Sequence, residues 1–264
     1  MATAARRVLP IATPTMQTQI QRMSARPFVW NSAMLSDVGR VRRLNEDSAL
    51  DRGADGLWVV ADGMGGHSAG DLASQLIVNS LDRLELCDEL ADLVERVEDA
   101  VADVNERLFA VANAHNQTSG STVVILLARE RHAVTMWAGD SRLYRLRGGK
   151  LLQLTTDHTQ LELYIERGLL DRDTASGHPS SNMVTRAVGV TDHMTMEMDI
   201  YELRDGDRFL LCSDGLDKHI KDPEIETLLQ SGPPADVARR LVDITLERGA
   251  VDNVTVCVVE VAAA

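Results

Sequence analysis

The sequence predicts an α+β fold: two antiparallel β-sheets packed as a central sandwich, flanked by pairs of α-helices in an α-β-β-α order, with a small flap at one side. Three observations carry this expectation. Short apolar runs rich in β-branched residues recur between Asp-Gly turns, and long segments of helical period separate one group of runs from the next. Links such as Gly139-Asp140-Ser141 are too short for a parallel crossover, so the runs they join are expected to pair antiparallel.

Residues 1–30 contain Arg6, Arg7, Arg22 and Arg26, and the first acid is Asp37, so a basic tail is expected ahead of a single domain spanning 31–264. The tail has the composition of an organelle transit peptide but lacks the apolar block of a secretory signal. The preferred reading is a flexible extension, or a start codon placed too early with Met23 or Met34 as the true start. Residues 57–61 (LWVVA) lie between Asp55-Gly56 and Asp62-Gly63 and read as a buried strand between turns. The same plan recurs where Asp205-Gly206 precedes RFLLCS and Asp214-Gly215 follows it. Further strand-like runs are 122–128, 133–138, 142–146 and 253–261.

Ala69, Leu72, Ala73, Leu76, Ile77, Leu81 and Leu84 form one helical stripe, and Leu90, Leu93, Val94, Val97, Val101, Val104 and Leu108 form another. Pro223 opens a short helix near the end of the chain, and Pro233-Pro234 opens a second with Val237, Ala238, Leu241, Val242 and Ile244 on its buried face. Residues 155–189 begin with a brief helical pattern and become polar, with Gly177, Pro179 and Ser180-Ser181. They read as an excursion over the surface, the flap.

Composition limits the function. The chain has 264 residues, 44% of them apolar, with 27 Lys plus Arg against 40 Asp plus Glu and a formal charge of -13. That describes an acidic, soluble globular protein of one domain. Only 3% of residues are aromatic, so aliphatic side chains must fill the core, and Trp137 and Met136 belong there. Strong negative charge argues against a nucleic-acid partner, and no apolar run approaches the roughly 18 residues of a membrane span. Cys87, Cys212 and Cys257 stand at no metal or redox spacing and read as free thiols in a reducing compartment.

Four carboxylates border apolar strands: Asp62, Asp140, Asp214 and Asp252. In an antiparallel arrangement they can meet at one edge, where mutual repulsion would require bound cations. Ligands that are all oxygen favour Mg²⁺ or Mn²⁺ over Zn²⁺. The glycine after Asp62 and after Asp214 lets a backbone carbonyl approach an ion. Asp-Gly is by itself an ordinary turn, and Asp55-Gly56 and Asp205-Gly206 are read as nothing more. The loop ADGMGGHSAG lacks a GxxxxGK[ST] or GxGxxG pattern, so a nucleotide cradle is not indicated. Arg42, with Glu46 and Asp47 close behind it, combines an anion-binding fork with two acids.

The ordered set VGRVRRLNEDS (38–48), VVADGMGGHSAG (59–70), SGST (119–122), WAGDSRLYRL (137–146), TRAVG (185–189), LLCSDGL (210–216) and DNVTV (252–256) resembles the metal-dependent serine/threonine protein phosphatases of type 2C, in their bacterial form. The resemblance spans about residues 36–260 and implies the sandwich described above. It implies hydrolysis of phosphoserine and phosphothreonine on proteins, in signal transduction that reverses a cognate Ser/Thr kinase, by a cytoplasmic monomer. Asp62, Asp214 and Asp252 match ligands of a first Mn²⁺ or Mg²⁺, and Asp62 with the carbonyl of Gly63 serves a second. Glu46 and Asp47 match acids that hold metal-bound waters, Asp140 with Asp214 matches a third-ion site, and Arg42 matches the phosphate-binding arginine. The resemblance implies that water attacks phosphorus directly, with no phosphoenzyme, and that the ions would supply its activation. Met64 stands where animal members carry His, so His67 becomes the nearest candidate for the general acid, while His158 and His178 in the flap read as solvated loop residues. A pseudophosphatase would need a lost ligand, and every matched acid is present. An aspartyl-nucleophile hydrolase would need DxDx[TV] after a strand, whereas Asp171-Arg172-Asp173-Thr174-Ala175 lies in the polar flap.

Overall fold

Side chains alternate along a strand, so an apolar run buried on both faces must lie between two layers. Residues 57–61 do this: Leu57, Val59 and Ala61 join one core cluster, and Trp58 and Val60 join another. The computed structural model describes residues 28–65, 69–115, 119–172 and 178–264. Its strands are β1 (Phe28–Asp37), β2 (Asp47–Arg52), β3 (Leu57–Gly65), β4 (Ser119–Ser121), β5 (Val123–Arg129), β6 (His132–Ala138), β7 (Arg142–Arg147), β8 (Lys150–Gln153), β9 (Glu197–Glu202), β10 (Arg208–Cys212) and β11 (Val254–Ala263). One sheet runs β1-β11-β10-β7-β8 and the other β2-β3-β5-β6-β9, with β4 paired to β3. Every neighbouring pair within them is antiparallel.

The helices are α1 (Ala69–Asp82), α2 (Leu90–His115), α3 (Gln160–Glu166), α4 (Asp214–Asp217), α5 (Asp222–Leu229) and α6 (Pro234–Glu247). Three apolar layers hold the sandwich. Trp58, Val60, Leu126, Phe209, Leu211 and Val259 fill the space between the sheets. Ile77 and Leu81 of α1, with Leu93, Val97 and Val104 of α2, cover the outer face of the second sheet. Ile225 and Leu229 of α5, with Val237, Leu241 and Val242 of α6, cover Leu210, Val256 and Val258 on the first. Pro223 and Pro234 sit in the first turns of their helices, where a missing N–H costs nothing. On α6, Thr245 is fully buried and returns its hydroxyl to the Leu241 carbonyl, while Ile244 is only partly buried.

The structure departs from the sequence reading in four places. Strand β1 begins at Phe28 and pairs along β11 from Phe28↔Ala263 to Asp37↔Val254, so residues 28–30 belong to the sheet, and a start at Met34 would cut the strand in two. Asp62-Gly63 lies inside β3, where Gly63 pairs with Ser121, so it is not a turn. Asp214-Gly215 opens the helical turn α4. Gly139-Asp140-Ser141 does not close a hairpin: β6 pairs with β5 and β9, β7 pairs with β10 and β8, and the short link crosses from one sheet to the other. Gly139 makes that crossing at φ 116°, a conformation that disfavours any Cβ.

The flap is tied down at both ends. Thr159 bridges Val184 and Ser121 bridges Val188, and the Thr159 hydroxyl caps α3 by accepting from Glu162 N at 3.2 Å. Among the described residues, no helix is long and apolar enough to cross a membrane.

Candidate metal and phosphate site

The site is built at the seam where the two sheets meet. Register places Asp47 of β2 directly opposite Asp62 of β3, two acids where the pairs behind them, Ala49↔Val60 and Leu50↔Val59, are apolar. Asp47 also reaches across the sandwich: its Oδ2 accepts from Ser213 Oγ and Thr255 Oγ1, both at 2.7 Å, which joins β2 to the end of β10 and to β11. Asp62 is fixed through its backbone, whose carbonyl accepts from Thr122 N at 2.8 Å and Ser121 Oγ at 3.0 Å. Thr122 and Ser141 share a hydrogen bond of 2.7 Å, which anchors the crossing that carries Asp140. Asp214 opens α4 immediately after β10, and Asp252 precedes β11 with Oδ1 accepting from Asn253 N at 3.0 Å.

Asn253 organises the remainder. Its Nδ2 donates to Val38 O at 2.9 Å and Leu44 O at 3.0 Å, and its Oδ1 accepts from Glu46 N at 2.9 Å, so one amide shapes the loop bearing Arg42 and Glu46. The Glu46 carbonyl accepts from Gly63 N at 3.0 Å and from Ser74 Oγ of α1 at 2.6 Å. Gly63 is required by this close packing: a Cβ there would lie 2.1 Å from the Gly70 carbonyl oxygen. Arg42 grips Asp252 with both arms, Nε to Oδ1 at 2.8 Å and Nη2 to Oδ2 at 3.1 Å. Lys218 Nζ lies 2.6 Å from Asp214 Oδ2 and 2.9 Å from Asp252 Oδ2.

Electrostatics mark the seam as short of positive charge. Burial, then the charges of Asp47 and Asp214, push Asp62 well above the usual carboxylate range. Burial and Asp214 raise Asp140 to about 7. Burial raises Asp47 to about 6, although the Thr255 and Ser213 hydroxyls pull the other way. Glu46 is raised by burial, while Arg42 draws it down. Asp252 is the exception: burial would raise it, but the hydrogen bond and charge of Lys218, followed by the charge of Arg42, bring it below its ordinary value.

These residues fit a divalent cation on the chemistry of the donor set. The acids supply only oxygen, Oδ1 of Asp47 and of Asp214 are buried without a hydrogen-bond partner among the described residues, and the side-chain cations of Lys218 and Arg42 stand among the carboxylates. Among the described residues, no three His, Cys, Asp or Glu side chains are drawn together closely enough to hold an ion.

A cleft of about 550 Å³ opens beside the seam, lined by Asp140, Asp214 and Lys218 and by Thr159, Leu161 and Glu162 of the flap. Arg142 crosses it as a strut, paired with Asp157 at 2.6 Å and Asp217 at 3.0 Å. Arg42, Glu46, Asp47, Asp62, Gly63, Asp140, Asp214 and Asp252 thus all reach the seam region. His67 lies outside the described residues. His158 is buried instead of solvated: it stacks on Trp137 with centroids 6.1 Å apart and accepts from Gly139 N at 3.0 Å through Nδ1. His178 caps a short 3-10 turn by accepting from Ser180 N. Trp137 and Met136 are core residues, as expected. Sequence reasoning missed Asn253 and Lys218, and the signal for Lys218 was its spacing of four residues after Asp214 on a helical turn.

A sandwich of two antiparallel sheets between helix pairs, with oxygen donors gathered at one seam, defines the phosphatase class that the motifs resemble. The family model for protein phosphatase 2C matches residues 40–249, and the chain belongs to that family. It is 37% identical over 237 residues to the serine/threonine protein phosphatase PstP of Mycobacterium tuberculosis, covering 89% of this chain and 45% of PstP. The chain therefore spans about half the length of that relative. It is 32% identical over 236 residues to the protein phosphatase PhpP of Streptococcus pneumoniae, covering 86% of this chain and 96% of PhpP. Among solved structures, PppA, described as a key regulatory component of T6SS in Pseudomonas aeruginosa, is 44% identical with a TM-score of 0.82, over 89% of this chain and 98% of PppA. The catalytic domain of PstP, solved in complex with 2 manganese ions, is 34% identical with a TM-score of 0.80, over 89% of this chain and 99% of that one.

Proposed function

We propose that the protein hydrolyses phosphoserine and phosphothreonine on proteins, reversing a Ser/Thr kinase, with two Mn²⁺ or Mg²⁺ ions in the core site and a third at Asp140 and Asp214. The observation that carries this reading is the gathering of Asp47, Asp62, Asp140, Asp214 and Asp252 at one seam, with two of their oxygens buried and unpaired. Asp62, Asp214 and Asp252, with the Gly63 carbonyl, would hold the core ions. Bound there, divalent ions would offset the charge of a phosphate dianion and make a water nucleophilic near neutral pH.

The chain's own residues do the remainder. Asp47 is held by two hydroxyls on Oδ2, which leaves Oδ1 to accept from and orient a water, and Glu46 is assigned the same purpose. Arg42, with its side chain about half exposed, offers its fork to the phosphoryl oxygens in exchange for Asp252. His67 is assigned to protonating the leaving alkoxide, because Met64 has no proton to give. No matched acid is replaced, which argues against a pseudophosphatase, and relatives named as protein phosphatases favour turnover. A monomer acting in the cytoplasm suits the acidic composition and the buried free thiols of Cys212 and Cys257. The test is hydrolysis of a phosphothreonine peptide by chelated protein to which Mn²⁺ is returned, and full activity of Asp62→Asn would refute the reading.

A further inference from the structure

We infer that Lys218 is an internal cation of the metal-free protein, bridging Asp214 and Asp252, and that divalent ions bind as its ammonium withdraws. The inference rests on the proposed reading that these two carboxylates hold an ion. Asp214 Oδ2 and Asp252 Oδ2 lie 2.6 and 2.9 Å from a single Nζ. The bridge joins the end of β10 to the start of β11, the two chain segments that would share an ion.

Local structure sets the ammonium in place. Lys218 follows Asp214 by four residues, and its backbone N donates to the Asp214 carbonyl at 3.3 Å, so the side chain folds back over the start of α4.

Lys218 can also leave. An ammonium on a four-carbon stem is compact and mobile, unlike the planar fork with which Arg42 clasps Asp252. Lys218 itself lines the 550 Å³ cleft, which gives the stem room to swing away from the seam. A site whose competent form is one conformer among two binds with an apparent Kd equal to the intrinsic value divided by the fraction competent. Lys218 therefore weakens metal binding while it steadies the metal-free fold against carboxylate repulsion.

These two effects have opposite signs, which a merely structural lysine would not produce. In chelator-stripped protein, Lys218→Met is expected to bind Mn²⁺ at least about tenfold more tightly by calorimetry, and to melt at a lower temperature in EDTA. Lys218→Arg keeps the charge and is expected to restore the metal-free melting temperature without tightening Mn²⁺ binding. Equal or weaker Mn²⁺ affinity in Lys218→Met overturns the inference. If that variant does not fold, the unsubstituted chain supplies the test by ¹⁵N NMR of lysine ammonium groups. The Lys218 signal is expected to be protected in EDTA and to lose that protection on saturation with diamagnetic Mg²⁺, and an unchanged signal overturns the inference. Failure of the unsubstituted chain to bind Mn²⁺ at all overturns the functional reading and this inference together, whereas binding that ignores Lys218 overturns this inference alone.

Discussion

Asp47 and Asp62 occupy opposing positions in one strand pair, an arrangement that weakens a sheet unless a cation lies between or beside the two acids. Replacing one of them therefore has two separable consequences. Asp62→Asn is expected to lower kcat on a phosphothreonine peptide by more than the 10- to 100-fold typical of outer-shell changes, roughly. It is also expected to raise the melting temperature of the protein in EDTA, because one member of a repelling buried set is neutralised. A fall in metal-free stability would show that Asp62 is held by favourable contacts and is not strained by its neighbours. Arg42 pairs with Asp252 and is about half exposed, so its loss removes a phosphate anchor without opening the core. Arg42→Ala is expected to raise KM about tenfold or more while leaving kcat little changed, since a charged hydrogen bond is lost from ground and transition states alike. An unchanged KM in steady-state assays would remove Arg42 from the site.

Strand β3 carries most of the element-scale argument, because it is at once a core strand and the carrier of Asp62 and Gly63. Gly63→Ala would press a methyl into the Gly70 and Glu46 carbonyls, at 2.1 and 2.6 Å. It is expected to cost about 1–3 kcal/mol, measured by urea denaturation, and a neutral result would mean that α1 yields easily. At the root of the flap, burial and the charge of Arg186 hold His158 below its ordinary 6.5, against the pull of Glu197 and Asp157. A depressed folded-state value means that the unfolded chain binds more protons in that window. The stability it lends is thus complete above 6.5 and lost as pH falls through the folded value. NMR titration of the ring should show a midpoint below 6.5, and one above it would contradict the burial argument.

The same scale shows why some elements were legible and others were not. The sequence reading found β3, β5, β6, β7, β10 and β11, which lie in sheet interiors and read as apolar runs. It missed β1, β2, β8 and β9, which are the four sheet edges, and the three-residue β4, because an edge strand such as β9 (EMDIYE) is polar and exposed on much of its length and β4 (SGS) carries no apolar run. The acids beside turns were visible from punctuation, although spacing alone did not reveal that Asp140 lies in a crossing between sheets. Lys218 was overlooked because α4 is too short to show a period.

At the scale of the whole molecule, the seam depends on the sandwich staying closed, since Asp47 and Asp62 come from one sheet and Asp252 borders the other. Phe209 is buried between the sheets, and Phe209→Ala is expected to cost about 3–5 kcal/mol in one cooperative chemical unfolding transition. Two separate transitions would show that the sheets do not share a core. The central claim is that scattered acids are folded together to hold catalytic ions, and stoichiometry measured beside turnover tests it most directly. Protein stripped with EDTA should be inactive on a phosphothreonine peptide and should recover activity as Mn²⁺ occupies at least two sites per chain. Full turnover in EDTA, or Mn²⁺ occupancy that brings no turnover, would contradict the account.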